Sequence, residues 1–446
     1  MTPGARLQTT IELLDLVGAE PRPADATVSQ FFRNRRFIGA KDRADIAQAV
    51  YRALRRRARL GWWLGRYEHP ATARAVAIAD QIAGEGRDAD AVAGLFNGGK
   101  FAPMPLDDGE RKLVRQLAGH TLDHPDMPDA VRVEVPAWAE PSLRATLGSR
   151  FAVEAAALIP AASIDLRVNA LKTTREAASK QLIADGIQVS PTPLSPFGLR
   201  VVGRPSIMAH PLYRDGAIEI QDEGSQLVAL LVGAQPGHQV VDLCAGAGGK
   251  TLAMAASMEN KGRVIATDVL DGRLQRAKLR FRRAGAHNIE TRAITGETDP
   301  WIKRHKQRFD RVLVDAPCTG TGTWRRNPDM RWRQLGPGLE TLVPLQARLL
   351  DSAARLVKPG GRLAYATCSM LIDENAAQIE GFLARNPGFR VVPLSELWPA
   401  TVGGTPPRNE PYLSLTPAQD DTDGFFTAVV ERNPAVTVDE AATSDD

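Results

Sequence analysis

The sequence predicts an α/β protein built on a doubly wound, mainly parallel sheet, preceded by a small α/β unit and an all-α N-terminal region. Three observations carry that prediction. Between about residues 216 and 432, β-prone runs alternate with helix-length amphipathic stretches, as parallel strands joined by crossover helices do. A glycine-rich loop, Asp242-Leu-Cys-Ala-Gly-Ala-Gly-Gly-Lys250, lies there between a strand and a helix. Further on, two strands run out into a cysteine each, Cys318 and Cys368.

The chain-wide numbers agree with a globular protein of two or three domains. Of 446 residues, 43% are hydrophobic and 24% charged. The formal net charge of +4 is small, so it bears on partners only where it is localised. Three cysteines far apart make no disulfide framework and have no zinc-ligand spacing, which points to a reducing compartment and no metal. The N-terminal stretch is amphipathic without an apolar signal core, and no run approaches the roughly 18 apolar residues of a membrane span. A cytoplasmic monomer without membrane association is expected.

Residues 1–128 read as helical: Leu7, Ile11 and Leu14 keep a helical period, as do Ile46, Val50 and Leu54. Two basic clusters interleave with aromatics here. Arg33, Arg35 and Arg36 lie between Phe31 and Phe37, and Arg55, Arg56 and Arg57 precede Trp62 and Trp63. That pattern suits phosphate contact with base stacking, although arginines at a helix C-terminus also favour its dipole. Together the clusters favour RNA. The proline-rich stretch 120–128 reads as a linker, so His120 and His124 have no helix to hold them on one face as a metal pair. Residues 131–215 form a small α/β unit, with strands at 164–169, 187–189 and 199–202 and a helix at 174–185. In 216–432 the expected strands are 239–243, 263–267, 311–314, 362–367 and 424–431. Helices are expected at 251–258, 272–284, 339–356 and 373–385. The acidic tail, 433–446, reads as disordered.

Chemistry concentrates at the strand ends. The glycine loop fails the P-loop pattern because Cys244 stands where the first glycine belongs, and Thr251 breaks the dinucleotide fingerprint. It remains a loop that lets a ligand approach backbone and helix amides. Asp268 closes the next strand, where a carboxylate can grip a ribose diol. In Asp315-Ala-Pro-Cys318 the carboxylate sits at a strand end, where desolvation is expected to raise its pKa enough to share a proton with a ring nitrogen. The following 320–328 stretch has glycine hinges with Arg325 and Arg326, apt for a substrate loop. Cys368 ends its own strand, and a helix starting near Asp373 is expected to favour its thiolate. Open α/β sheets bind ligands outside their carboxyl edge, so Asp242, Asp268, Asp315 and Cys368 should line one rim.

The segments 242–250, Asp315-Ala-Pro-Cys318 and Tyr365-Ala-Thr-Cys-Ser369 resemble the signature motifs of the Sun-type (RsmB-like) RNA cytosine-5 methyltransferases. Gln221-Asp-Glu-Gly-Ser-Gln226 resembles that family's entry into its catalytic domain, and the helical N-terminus is similar to its NusB-like RNA-binding domain. The resemblance implies a Rossmann-like sheet with one reversed late strand, an RRM-like subdomain and S-adenosylmethionine as cofactor. It implies an RNA substrate, ribosomal RNA by analogy. Cys244, Ala245, Gly246, Ala247, Gly248, Gly249 and Lys250 would hold the methionine end of the cofactor and Asp268 its ribose, with Asp315 touching cofactor and substrate. Cys368 would be the nucleophile and Cys318 would assist release. Two departures stand out. The loop has Ala-Gly-Ala where the family commonly has Ala-Ala-Pro, and 292–299 offers no aspartate in register for the adenine. Two other readings stay open: a DNA cytosine-5 methyltransferase attacking through Cys318, and a non-catalytic RNA-binding ribosome-assembly factor.

Overall fold

The computed structural model describes residues 1–333 and 335–434, so the tail from residue 435 onward lies outside the described residues. The chain divides into two compact units. The first comprises Met1–Ala161 with Thr323–Pro337, and the second comprises Ala162–Gly322 with the chain from Gly338 onward.

The first unit is helical. Its helices include Pro3–Ala19, Ala24–Asn34, Ala40–Arg55, Arg57–Arg66 and Asp108–Leu117. The Thr2 hydroxyl accepts from the Ala5 amide, and Asp107 with Glu110 forms a capping box, so amides left over at helix starts are satisfied locally. Leu60, Trp63, Leu64, Ile78 and Leu117 centre one core; Leu13, Val17, Phe31, Ile46 and Val50 form another. The stretch 120–128 is free of helix, as expected, and it packs: the His120 and His124 rings lie 4.7 and 5.3 Å from Trp63. Thr323–Pro337 is an integral part of this unit. Asp329 accepts from the Ala24 amide at 2.8 Å, capping a helix that lacks its own side-chain cap. The buried Arg331 donates to the carbonyls of Glu134 and Leu158 and lies 4.8 Å from the fully buried Trp324 ring.

The second unit opens with a four-stranded antiparallel sheet of β1 (Ile164–Val168), β2 (Val189–Pro191), β3 (Gly198–Val201) and β4 (Ile218–Ile220), in the order β2-β3-β1-β4. Strand β4 falls beyond residue 215 yet pairs with β1. The larger sheet contains β5 (Gln239–Asp242), β6 (Arg263–Asp268), β7 (Ile289–Ala293), β8 (Phe309–Asp315), β9 (Val357–Thr367), β10 (Phe389–Val391), β11 (Leu413–Leu415) and β12 (Phe425–Arg432). Its order is β10-β12-β9-β8-β5-β6-β7, with β11 against β12. Strands β5 to β9 pair in parallel, and β12 runs antiparallel against β9, which is the reversed late strand. Helices Glu223–Leu231, Gly249–Ser257 and Asp271–Ala284 bury one face of the sheet; Leu339–Ala354 and Ala376–Arg385 bury the other.

Connectivity places the site. From β5 the chain moves outward through β6 to β7, then returns to add β8 on the other side of β5. The carboxyl ends of β5 and β8 therefore flank a topological switch point, where crossover helices diverge and leave a crevice. Besides the three-residue β4, three strands of the larger sheet escaped the sequence reading for physical reasons. Edge strand β7 is only partly buried and lacks a hydrophobic run, and β10 and β11 are three residues each, too short for a period to register. The helix expected from Asp373 starts instead at Ala376, behind a 3₁₀ turn at Ile372–Glu374.

Gly248 fixes the turn from β5 into its helix. Its φ is +77°, and a Cβ there would come within 2.4 Å of the Phe281 ring. Left-handed backbone and overpacking together cost about 2–5 kcal/mol. Gly248→Ala is expected to lower the unfolding free energy measured by chemical denaturation by that amount, and an unchanged value would show the loop to be pliable.

Candidate active site

Residues at the carboxyl edge build the site within the second unit. At the end of β5, Asp242 is buried; its Oδ2 accepts from the Thr251 hydroxyl at 2.6 Å, and its Oδ1 has no partner among the described residues. Burial raises its pKa to about 7, opposed by the Thr251 hydrogen bond. The loop then passes the end of β6, where the Gly246 amide donates to Asp268 Oδ2 at 2.9 Å and the Leu270 amide to Oδ1 at 2.8 Å. Two of the roughly four lone-pair positions of the Asp268 carboxylate are thus used, leaving two for a diol. Burial pushes the Cys244 thiol far above its ordinary range, so it stays neutral.

Lys250 and Asp315 meet across the switch point, Nζ to Oδ2, at 2.7 Å. Burial pulls the Lys250 pKa down, but Asp315 and Cys368 more than offset it, and the net shift is upward. The Asp315 side chain is 31% exposed. The proton in this pair is carried by Lys250.

The two cysteines converge. Cys318 Sγ and Cys368 Sγ lie 3.4 Å apart, although fifty residues separate them, and both are partly exposed. Their contact hydrogen bond, followed by burial, raises Cys318 well above the ordinary thiol range. The flanking loops are stitched together by groups the sequence reading overlooked. Fully buried Glu374 accepts from the Thr319 amide at 2.9 Å, from the Thr319 hydroxyl, and from Gln346 at 2.9 Å. The Ser369 hydroxyl lies 3.1 Å from that of Thr321, and the Gly322 amide donates to the Cys368 carbonyl at 2.9 Å. Asn375 accepts from the Thr367 hydroxyl and donates to the Ser369 carbonyl at 2.9 Å, so the start of the following helix is tied to both neighbours of Cys368. A Thr-Gly-Thr after one cysteine and a Glu-Asn six residues past the other were the available signals.

The arginines singled out for RNA fall into different settings. Arg33, Arg36 and Arg57 are exposed. Arg35 pairs with Glu12 and stacks on Phe31, and Arg56 pairs with Asp80 and Glu85. Arg55 donates to the Tyr51 and Arg325 carbonyls. Arg325, expected on a substrate loop, is 5% exposed within the first unit. Arg326 is half-buried there.

S-adenosylmethionine fits the loop. A Cβ at Gly246 would meet nothing within 4 Å, so space is open above the loop, and the buried Asp242 Oδ1 beside it has no partner among the described residues. A glycine loop at the switch point, with carboxylates closing the neighbouring strands and an antiparallel late strand, is the architecture of the Rossmann-like, S-adenosylmethionine-dependent methyltransferases. Residues 229–431 match the family model for 16S rRNA methyltransferase RsmB/F, and residues 135–208 match the RsmF/B-like ferredoxin-like domain. These stretches are thus similar to the methyltransferase and ferredoxin-like domains of the RsmB/F family. It is 37% identical over 272 residues to the probable ribosomal RNA small subunit methyltransferase B of Synechocystis, covering 60% of each chain. It is 34% identical over 268 residues to the ribosomal RNA small subunit methyltransferase B of Pectobacterium atrosepticum. The matched stretch thus spans about three-fifths of these curated relatives. The crystal structure of PH0851 superposes with a TM-score of 0.77 at 26% identity, over 97% of this chain and 99% of that one. A methyltransferase homologue from Pyrococcus horikoshii superposes at 0.58 with 29% identity, over 68% of this chain and 97% of that one.

Asp242 gives a pH signature. Its folded pKa lies above the unfolded value, so the neutral form is favoured by folding. That stability is fully present below about pH 4 and is lost as pH rises through about 7. Asp242→Asn removes the dependence. Its stability relative to the parent, measured by denaturant titration without cofactor, should climb between about pH 4 and 7 and then level off. A difference that is flat with pH would contradict the assignment.

Proposed function

We propose that this protein transfers a methyl group to carbon 5 of a cytosine in RNA, with Cys368 as the covalent nucleophile and ribosomal RNA of the small subunit as substrate. The observation that carries the chemistry is the 3.4 Å contact between Cys318 and Cys368, beside the Lys250–Asp315 pair. The rRNA reading is supported by the names of the family model and of the curated relatives.

Carbon 5 of cytosine is a weak nucleophile. Attack of the Cys368 thiolate on carbon 6 forms a C–S bond and pushes the ring electrons toward carbon 5 and nitrogen 3. Cys318, its thiol shifted upward, is the member of the pair that keeps its proton in this reading, with its sulfur 3.4 Å from that of Cys368. The Watson–Crick edge of cytosine offers an acceptor at nitrogen 3 and a donor at the exocyclic amine. Lys250 and Asp315 present the complementary donor and acceptor, with Lys250 carrying the proton that stabilises charge at nitrogen 3. S-adenosylmethionine, when bound by the glycine loop and Asp268, supplies an electrophilic methyl group. Once carbon 5 is methylated, its proton passes to solvent water, the electron pair of that C–H bond restores the carbon 5–carbon 6 double bond, and the Cys368–carbon 6 bond breaks to release the Cys368 thiolate beside Cys318. The base must stand out of any stack to be attacked from its face, so single-stranded or extrudable cytosine is required.

Two outcomes test this. With RNA and cofactor, Cys318→Ala is expected to accumulate a denaturant-resistant protein–RNA adduct, and Cys368→Ala none. An adduct that persists without Cys368 assigns attack to Cys318 instead. Asp315→Ala should lower kcat/KM by about 10²–10⁴-fold, the usual worth of positioned proton-transfer help; full activity would reject its role.

A further inference from the structure

The helix Asp271–Ala284, which follows β6, carries six arginines and lysines against one aspartate, a net of +5 where the whole chain has +4. Its apolar stripe, Leu274, Ala277, Phe281 and Ala284, is buried. Two of the cations are committed inward: Arg280 donates to the Ala247 carbonyl at 2.7 Å and to Glu219 at 2.9 Å, and Arg283 pairs with the same Glu219. Arg276, Lys278 and Arg282 pair with no carboxylate among the described residues. Arg273 approaches Asp268 only to 4.0 Å.

A solvated helix face ordinarily interleaves opposite charges four residues apart. Here Lys278 precedes Arg282 at that spacing with no carboxylate between them, so like charges face each other and repel. The C-terminal dipole accounts for Arg282 and Arg283, but Arg276 and Lys278 lie mid-helix, beyond its reach. The face is also rigidly joined to the glycine loop, through Arg280 on the Ala247 carbonyl and the Phe281 ring against Gly248. A polyanion relieves the repulsion and gains a fixed register with the loop.

We propose that the cations this helix leaves toward solvent on either side of its buried stripe, Arg273, Arg276 and Arg282 with the half-buried Lys278, bind the phosphate backbone of the RNA strand flanking the target cytosine. This rests on the reading above that the substrate is RNA. In a single strand each phosphate neutralised by a lysine or arginine contributes about 0.7 to the slope of log affinity against log salt. The variant Arg276→Gln/Lys278→Gln/Arg282→Gln, measured on a deproteinised small-subunit rRNA transcript across a potassium chloride series, should lose about 2 from that slope. It should show a higher KM for RNA with kcat unchanged, and arginine-to-lysine replacements at 276 and 282 should restore the slope. If the parent methylates the transcript and the triple variant keeps its slope and KM, this inference is overturned alone. A defect seen only on protein-bearing ribosomal particles overturns it in favour of a protein contact. A parent that neither binds nor methylates the transcript overturns the functional reading, and this inference with it.

Discussion

The carboxylate of Glu374 has no exposure to solvent, yet it accepts from an amide, a hydroxyl and a side-chain amide that belong to two other segments. A buried charge is tolerable only when its lone pairs are filled. That requirement holds the loop after β8 and the loop after β9 at one fixed separation. Ser369, Thr321 and Asn375 extend the same network, and its members lie within a few residues of both cysteines. A 3.4 Å contact between two thiols on separate loops needs such a frame, because a shift of one ångström in either loop would end it. Gly322 and Gly424 add a backbone contact in which no Cβ would fit, fixing the same loop to the start of β12.

Around this frame the sheet arranges charge by depth. Asp242, deep and half-satisfied, is pushed toward neutrality. Asp315, nearer the mouth, is matched by Lys250. Asp268 lies between, filled on one side by backbone amides and open on the other. Three aspartates ending adjacent parallel strands would repel one another if all were ionised and unpaired. Their different partners separate their roles, and the glycine loop can pass among them because Gly246 and Gly248 adopt backbone conformations other residues rarely do.

The repeating architecture was legible because it follows from periodicity. The carboxyl ends of the strands at Asp242, Asp268, Asp315 and Thr367, and helices such as Asp271–Ala284, lie within a residue or two of where their patterns place them, although β9 begins at Val357, five residues before its expected start. The convergence of Asp242, Asp268, Asp315 and Cys368 on one rim followed from the handedness of parallel connections. Three things were hidden. The Lys250–Asp315 pair depends on which strands neighbour β5, and chain order alone does not give that. Glu374 reads as an ordinary acidic helix start until its three donors are brought to it from distant segments. Arg325 looked like a substrate contact because the sequence around it is glycine-rich and basic; nothing local reveals that Trp324, Asp329 and Arg331 bury that segment among the N-terminal helices.

The central claim is that the frame delivers Cys368, rather than Cys318, to carbon 6 of the base. The direct measurement uses the unaltered protein, S-adenosylmethionine and an RNA carrying 5-fluorocytidine, whose carbon 5 cannot lose a proton and so arrests the reaction at the covalent stage. After trypsin and nuclease digestion, mass spectrometry locates the modified peptide. The account predicts the nucleotide on the peptide spanning residues 363–385, which contains Cys368. Finding it on the peptide spanning residues 312–325, which contains Cys318, would contradict it.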